Sequence, residues 1–259
     1  AGPSSPRPMN VSQGSAMPRV LLLGGTTEAG RMAQALAEAR VDAVYSYAGR
    51  TEAPVAQPLP VRVGGFGGVA GLRAYLASEG ISHVIDATHP FAAQMSGNAV
   101  AACAAEGIPL IALERAPWVA GKGDRWQHVA DVPAAVAALA GPSKRVFLAI
   151  GRQHLEPFAA QGQHRYLLRL VDPPTGPMPL PLADVVVARG PFDVAGDSAL
   201  MRDHGIELVI AKNAGGKGAV AKIAAARALG VPVVMIDRPA VPTRRVASTL
   251  GEVMAWLGL

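Results

Sequence analysis

From Arg19 onward, short apolar runs rich in Val, Leu and Ile alternate with Ala-rich stretches of helical composition, and that alternation leaves few folds open. Strands are expected at Arg19–Leu23, Ala43–Tyr47, Pro60–Val63, His83–Asp86 and Pro109–Leu113. Helices fit between them over Glu28–Ala39, Gly68–Glu79 and Phe91–Glu106. A strand followed each time by a helix returns the chain for a parallel neighbour through a right-handed crossover. A second series follows, with strands at Arg145–Ile150, Tyr166–Leu170, Val185–Ala188, Glu207–Ala211 and Val231–Ile236. Its helices fall near Val132–Ala140, Asp193–His204 and Lys217–Leu229.

Breakers mark what lies between. Ala116–Val129 contains Pro117, Gly121 and Gly123 and reads as a connector. Val171–Pro181 holds five prolines and reads as a long surface loop, and Val246–Leu257 as one closing helix. The expected fold is α/β: two Rossmann-like open parallel-sheet lobes with a ligand cleft between them. Residues 19–118 form the first lobe and residues 119–259 the second, behind a Pro-, Ser- and Gly-rich disordered leader over 1–18.

The 24 Lys and Arg against 19 Asp and Glu ask for an anionic partner. A nucleic acid is disfavoured, because there is no Lys/Arg block, zinc-ligand spacing or aromatic-rich RNA-binding pattern. The single cysteine, Cys103, excludes an internal disulfide, and no apolar run is long enough to span a bilayer. A cytoplasmic location follows by default.

The first strand runs into Gly24-Gly25-Thr26-Thr27-Glu28, a tight turn that opens a helix. Such a turn lets backbone N–H groups approach a phosphate at a helix N-terminus, although Gly-x-Gly-x-x-Gly is not met in strict form. A purely structural turn is the rival reading. The second strand ends Ser46-Tyr47-Ala48-Gly49-Arg50-Thr51. It lacks the acid that would bind a ribose 2′-hydroxyl, and Ser46, Arg50 and Thr51 suit a 2′-phosphate, so NADPH is the expected cofactor, with Arg50 as a solvated turn residue the alternative. Gly64, Gly65, Phe66 and Gly67, after the third strand, form either an adenosine-side loop or a flexible turn. Thr88 and His89, after the fourth strand, are expected near the nicotinamide. His89 is the candidate catalytic or substrate-binding residue, with a turn-shaping role as the alternative.

Ligands of open α/β sheets bind beyond the carboxyl ends of the strands, so the residues at those ends carry the argument. Arg115 follows the fifth strand. In the second series the ends read Gly151-Arg152-Gln153, Arg189-Gly190 and Lys212-Asn213-Ala214-Gly215-Gly216-Lys217. Cations recurring at equivalent places predict a polycarboxylate between the lobes. Arg244 and Arg245 are read as ordinary surface cations. No Tyr-x-x-x-Lys pair, Gly-x-Ser-x-Gly elbow or metal-ligand spacing is present, and His83, His128, His154, His164 and His204 take ordinary roles.

Five segments in this order, Leu-Gly-Gly-Thr-Thr-Glu-Ala (23–29), Asp-Ala-Thr-His-Pro-Phe-Ala (86–92), Gly-Arg-Gln (151–153), Arg-Gly-Pro-Phe (189–192) and Lys-Asn-Ala-Gly-Gly (212–216), resemble the precorrin-6A reductase family of cobalamin biosynthesis. The resemblance runs from about Arg19 to the C-terminus. It implies reduction of precorrin-6A to precorrin-6B by hydride from NADPH, on a tetrapyrrole bearing many carboxylates. The alternatives are an NADP-dependent reductase of another polycarboxylate, or a non-catalytic NADP-binding sensor.

Overall fold

A computed structural model describes residues 16–48 and 54–259. Of the expected leader, residues 1–15 lie outside the described residues, and 16–18 carry no regular element. The first half runs β1 (Arg19–Leu23), α1 (Thr27–Glu38), β2 (Asp42–Tyr47), β3 (Val61–Val63), α2 (Gly68–Ser78), β4 (His83–Asp86), α3 (Ala93–Glu106) and β5 (Leu110–Leu113). The second runs β6 (Trp126–Val129), α4 (Val132–Ala138), β7 (Arg145–Ala149), β8 (Arg165–Leu170), β9 (Ala183–Val187), α5 (Val194–Asp203), β10 (Leu208–Lys212), α6 (Ala221–Leu229) and β11 (Val233–Ile236). Two short 3₁₀ turns replace a helix between β7 and β8, and β12 (Arg245–Ala247) and α7 (Leu250–Trp256) close the chain.

Two sheets of six strands result, ordered β12-β5-β4-β1-β2-β3 and β6-β11-β10-β7-β8-β9, and the strand pairs among the described residues are parallel. The two orders are the same when each sheet is counted from its own first central strand, β1 or β7. In each, the outermost strand beyond the fifth comes from the other side of the chain. β6 leaves the first series and pairs with β11, while β12 leaves the second and pairs with β5.

This exchange corrects two expectations. The connector over Ala116–Val129 contains an edge strand, and the closing helix over Val246–Leu257 is a strand and a helix. Thr249 explains the second break. Its hydroxyl accepts from the Glu252 backbone N–H and so starts α7 after β12. The second lobe therefore does not hold all of 119–259. Ala247, Val253 and Leu257 are buried in a first-sheet cluster with Val20, Leu22 and Met32.

Period-2 alternation places the core. Val20 and Leu22 face α1 and α7, whereas Leu21 and Leu23 meet Leu72, Leu76 and Cys103 on the opposite face. Two comparable clusters cover the second sheet, and Leu180 from the proline-rich loop is buried in one of them. Among the described residues, no helix is long and apolar enough to cross a membrane.

Arg244, read from the sequence as a surface cation, has instead a side chain only 8% exposed. Its Nη1 donates to Asp86 at 2.9 Å and its Nη2 to Glu114. Asp86, at the end of β4, also accepts from the Thr88 backbone N–H and from the Thr88 and Ser96 hydroxyls. Removing one partner of a buried ion pair leaves charge without compensation, at a cost of about 3–5 kcal/mol. Arg244→Met should lower unfolding free energy by about 3 kcal/mol, read from urea midpoints; a loss under about 1 kcal/mol would contradict the clamp.

Candidate active site

Strand order reverses between β1 and β4 in the first sheet and between β7 and β10 in the second. Crevices open at such points because the helices on either side run to opposite faces. The first crevice is edged by Gly24–Thr27 and Asp86–His89, the second by Gly151–Gln153 and Lys212–Gly216.

The glycine turn is shaped by Tyr45. A Cβ on Gly24 would stand 2.1 Å from the Tyr45 ring, so this position admits no side chain. Gly25, at φ 113°, donates its N–H to the Tyr45 hydroxyl at 2.8 Å. Burial pushes that hydroxyl up to about 12, which keeps it neutral. Thr26 caps α1 by accepting from Ala29 N–H at 3.1 Å and donates to the Ala87 carbonyl at 2.7 Å, tying the turn to the end of β4. The groups left facing the crevice are the first-turn N–H groups at Thr27 and Glu28, which a helix cannot pair internally.

At the other end of this crevice Ser46 is buried, and its hydroxyl accepts from Arg62 Nη1 at 2.8 Å. Arg62 also donates to the Gly64 and Gly65 carbonyls and stacks 3.8 Å from the Phe66 ring centroid, beside the turn that runs through Gly67. Sequence reading missed Arg62. Its only signal was a lone cation inside the short strand Val61–Val63. Gly49, Arg50 and Thr51 lie outside the described residues.

His89 is half-buried between the two crevices. The Phe91 backbone N–H donates to its Nδ1 at 3.2 Å, so the neutral ring carries its proton on Nε2. Burial first, and then the charges of Arg115, Lys212 and Arg238, push its pKa down to about 4, against an opposing pull from Glu28. Lys212 lies 5.3 Å from the Phe91 ring centroid, and burial lowers its pKa as well. Arg238 was not foreseen. It lies in the strap that carries the chain from β11 to β12, and it donates to the Asn213 and Ala214 carbonyls. A cleft of about 290 Å³ opens beside it, lined by Pro90, Glu114, Arg238, Pro239, Thr243 and Arg244 among others.

Several expected ligand-binding residues join the two sheets in this structure. Arg115 Nη1 donates to Glu28 at 2.9 Å and its Nε to the Ala214 carbonyl at 2.6 Å, bridging the lobes. Asn213 is buried, with its amide engaging both the N–H and the carbonyl of Trp118, and Trp118 Nε1 donates to the Gly216 carbonyl. Gly215 has φ +67°, and a Cβ there would stand 2.2 Å from the Ala116 carbonyl oxygen. Thr88 is committed to Asp86 through both its N–H and its hydroxyl.

The four strand-end cations therefore divide. Arg115 and Lys212 lie toward His89, Arg115 at the Ala214 carbonyl and Lys212 over the Phe91 ring, and the charge of each lowers the His89 pKa. Arg152 and Arg189 stand in solvent beside the proline-rich loop, at 3.2 Å from Thr175 and 4.0 Å from Asp172 respectively. Gly151, Gln153, Gly190 and Lys217 are likewise exposed.

A family model described as precorrin-6x reductase CbiJ/CobK matches residues 19–258. A precorrin-6A reductase of Rhodobacter capsulatus is 67% identical over 241 residues, covering 93% of this chain and 96% of the relative. One from Mycobacterium tuberculosis is 42% identical over 226 residues, covering 87% and 91%. A cobalt-precorrin-6A reductase of Priestia megaterium is 28% identical over 246 residues, covering 91% and 96%. The solved structure of a CobK precorrin-6A reductase superposes with a TM-score of 0.89 at 66% identity, covering 93% of this chain and 96% of that one. On fold, motif order and similarity over nearly its whole described length, the chain belongs to the precorrin-6x reductase CbiJ/CobK family.

Proposed function

We propose that this chain reduces precorrin-6A in cobalamin biosynthesis, using NADPH as the hydride source and binding the macrocycle in the cleft between the two sheets. The observation that carries the reading is the gathering of three cations near His89, beside the switch point of the first sheet: Arg115 and Arg238 both donate to the Ala214 carbonyl, and Lys212 lies 5.3 Å from the ring of Phe91, which neighbours His89. A ring of partly buried cations suits a polycarboxylate, and its place next to the end of β4 suits a partner for a nicotinamide. Closer identity to precorrin-6A reductases than to the cobalt-precorrin-6A reductase of Priestia megaterium supports the metal-free macrocycle.

The residues present fit a dinucleotide. The start of α1 offers unpaired N–H groups and the positive end of the helix to a pyrophosphate. Ser46 and the Gly64–Gly67 turn border the adenosine end, and the Ala87–His89 segment borders the nicotinamide end. NADPH, when bound, supplies a hydride from C4 of its nicotinamide. The chain's own contribution is placement. Arg115 holds Glu28 and Ala214 together, fixing the distance between the two crevices. Lys212 and Arg238 anchor substrate carboxylates so that the carbon to be reduced lies over the β4 end.

His89 serves this placement by donating from Nε2 to a substrate carboxylate. Burial and three cations hold it neutral at physiological pH, so it enters the reaction without an acidic proton of its own. On this reading His89→Asn raises the macrocycle KM by about tenfold and leaves turnover within a few-fold, the loss of one hydrogen bond of roughly 1.5 kcal/mol. Turnover slowed by roughly a hundredfold or more would instead make His89 the proton donor.

The sign of the pH effect follows. The folded pKa of about 4 lies below the ordinary value of about 6.5, so between those values the unfolded chain takes up a proton that the folded chain refuses. Free enzyme should lose stability as pH falls through that window, and His89→Asn should lose less. Equal acid sensitivity of the two proteins in thermal melts would refute the placement of His89.

Lys212→Met and Arg238→Met should each weaken macrocycle binding about tenfold or more while changing NADPH affinity less than about threefold, as titrations with the separate ligands would show. Loss of NADPH affinity in both variants would reverse the assignment of the two crevices.

A further inference from the structure

We infer that Arg62 is the residue that distinguishes NADPH from NADH, by pairing with the 2′-phosphate of the adenosine ribose. The inference rests on the cofactor reading above and adds to it the group that performs the selection. Arg62 and Ser46 are cross-strand partners in the parallel pairing of β2 and β3, so their side chains leave the sheet on one face. That position, at the carboxyl end of the second strand of a dinucleotide-binding sheet, is where the ribose 2′ position falls.

The guanidinium is held there without being neutralised. Nη1 donates to the Ser46 hydroxyl at 2.8 Å and to the Gly64 carbonyl at 3.0 Å, and Nη2 donates to the Gly65 carbonyl at 3.1 Å. All three acceptors are uncharged, and among the described residues Arg62 has no ion-pair partner. The buried arginines Arg169 and Arg244 differ, each meeting a carboxylate within 3 Å. Stacking against Phe66 at 3.8 Å and Tyr75 at 5.1 Å fixes the plane of the group. Three of its five N–H groups are engaged by these oxygens and Nε is not among them, which leaves donors for a phosphate. A planar, fully charged fork fixed in advance loses little freedom when an anion arrives. No acid at the end of β2 opposes a dianion, since the described strand end reads Ser46-Tyr47-Ala48.

The experiment measures equilibrium binding of NADPH, NADH, 2′,5′-ADP and 5′-AMP to wild type, Arg62→Gln and Arg62→Lys by titration calorimetry, with thermal melts to check folding. Wild type should favour the 2′-phosphorylated member of each pair. Arg62→Gln should lose about tenfold or more in affinity for NADPH and 2′,5′-ADP, with NADH and 5′-AMP changed less than about threefold. Arg62→Lys, which keeps the charge and loses the fork, should fall between. Wild-type affinity for 2′,5′-ADP should also rise as the phosphate gains its second charge near about pH 6, and Arg62→Gln should flatten that rise. A variant that still discriminates, or that loses both members of a pair equally, would overturn the role of Arg62 alone. A wild type that binds NADH as tightly as NADPH would overturn the cofactor reading, and this inference with it.

Discussion

A buried guanidinium between two carboxylates holds this molecule in its arrangement. Arg244 sits immediately before β12, and its pairs with Asp86 and Glu114 join that last strand to the ends of β4 and β5. Besides the clamp, β12 is kept in the first sheet by a three-residue ladder to β5 and by the burial of Ala247, Val253 and Leu257 in that sheet's core. With the clamp, the strap from β11 lines the cleft opposite Pro90 and Glu114, and Arg238 is part of that lining. Asp86 simultaneously orders Thr88, so the turn that carries His89 takes its shape from the same charge cluster. Fold and site are here one electrostatic unit.

The cations of the cleft serve two physical ends. Arg115 is partly compensated by Glu28, and its geometry is that of a brace between the lobes. Lys212 and Arg238 are bonded to carbonyls or packed on an aromatic ring, and among the described residues neither has an ion-pair partner. Desolvation makes their field stronger than the same charges would produce in water. It also explains the neutral His89, because a fourth positive charge among three others in a half-buried place is costly.

Strand positions, the parallel winding and the residues at strand ends were legible because they depend on local periodicity and on one topological rule. The turn at Gly24 and Gly25 was legible for that reason, although the structure gives Gly24 a packing role against Tyr45 that no local pattern carries. The failures are all non-local. Arg244 and Asp86 are 158 residues apart, and nothing around Arg244 in the sequence announces a carboxylate partner. Nothing local marks Arg62, whose partner Ser46 is brought to it by the pairing of β2 with β3. β6 and β12 are short edge strands, four and three residues long, whose partners β11 and β5 lie far away along the chain. Asn213 and Gly215 were expected to bind substrate, and in the structure they meet the close approach of the connector at Ala116–Trp118.

The exchange of edge strands also sets a timetable for biosynthesis. Domains commonly fold one after another as the chain leaves the ribosome. Here the sheet that begins with β1 cannot cover its β5 edge until Arg245–Ala247 has been made, after the second sheet's strands have been translated. Throughout that interval β5 presents unpaired backbone groups to its surroundings, the kind of edge that invites wrong partners. The nascent chain is thus most vulnerable while its first sheet waits for its last neighbour, and a pause late in translation would prolong that exposure.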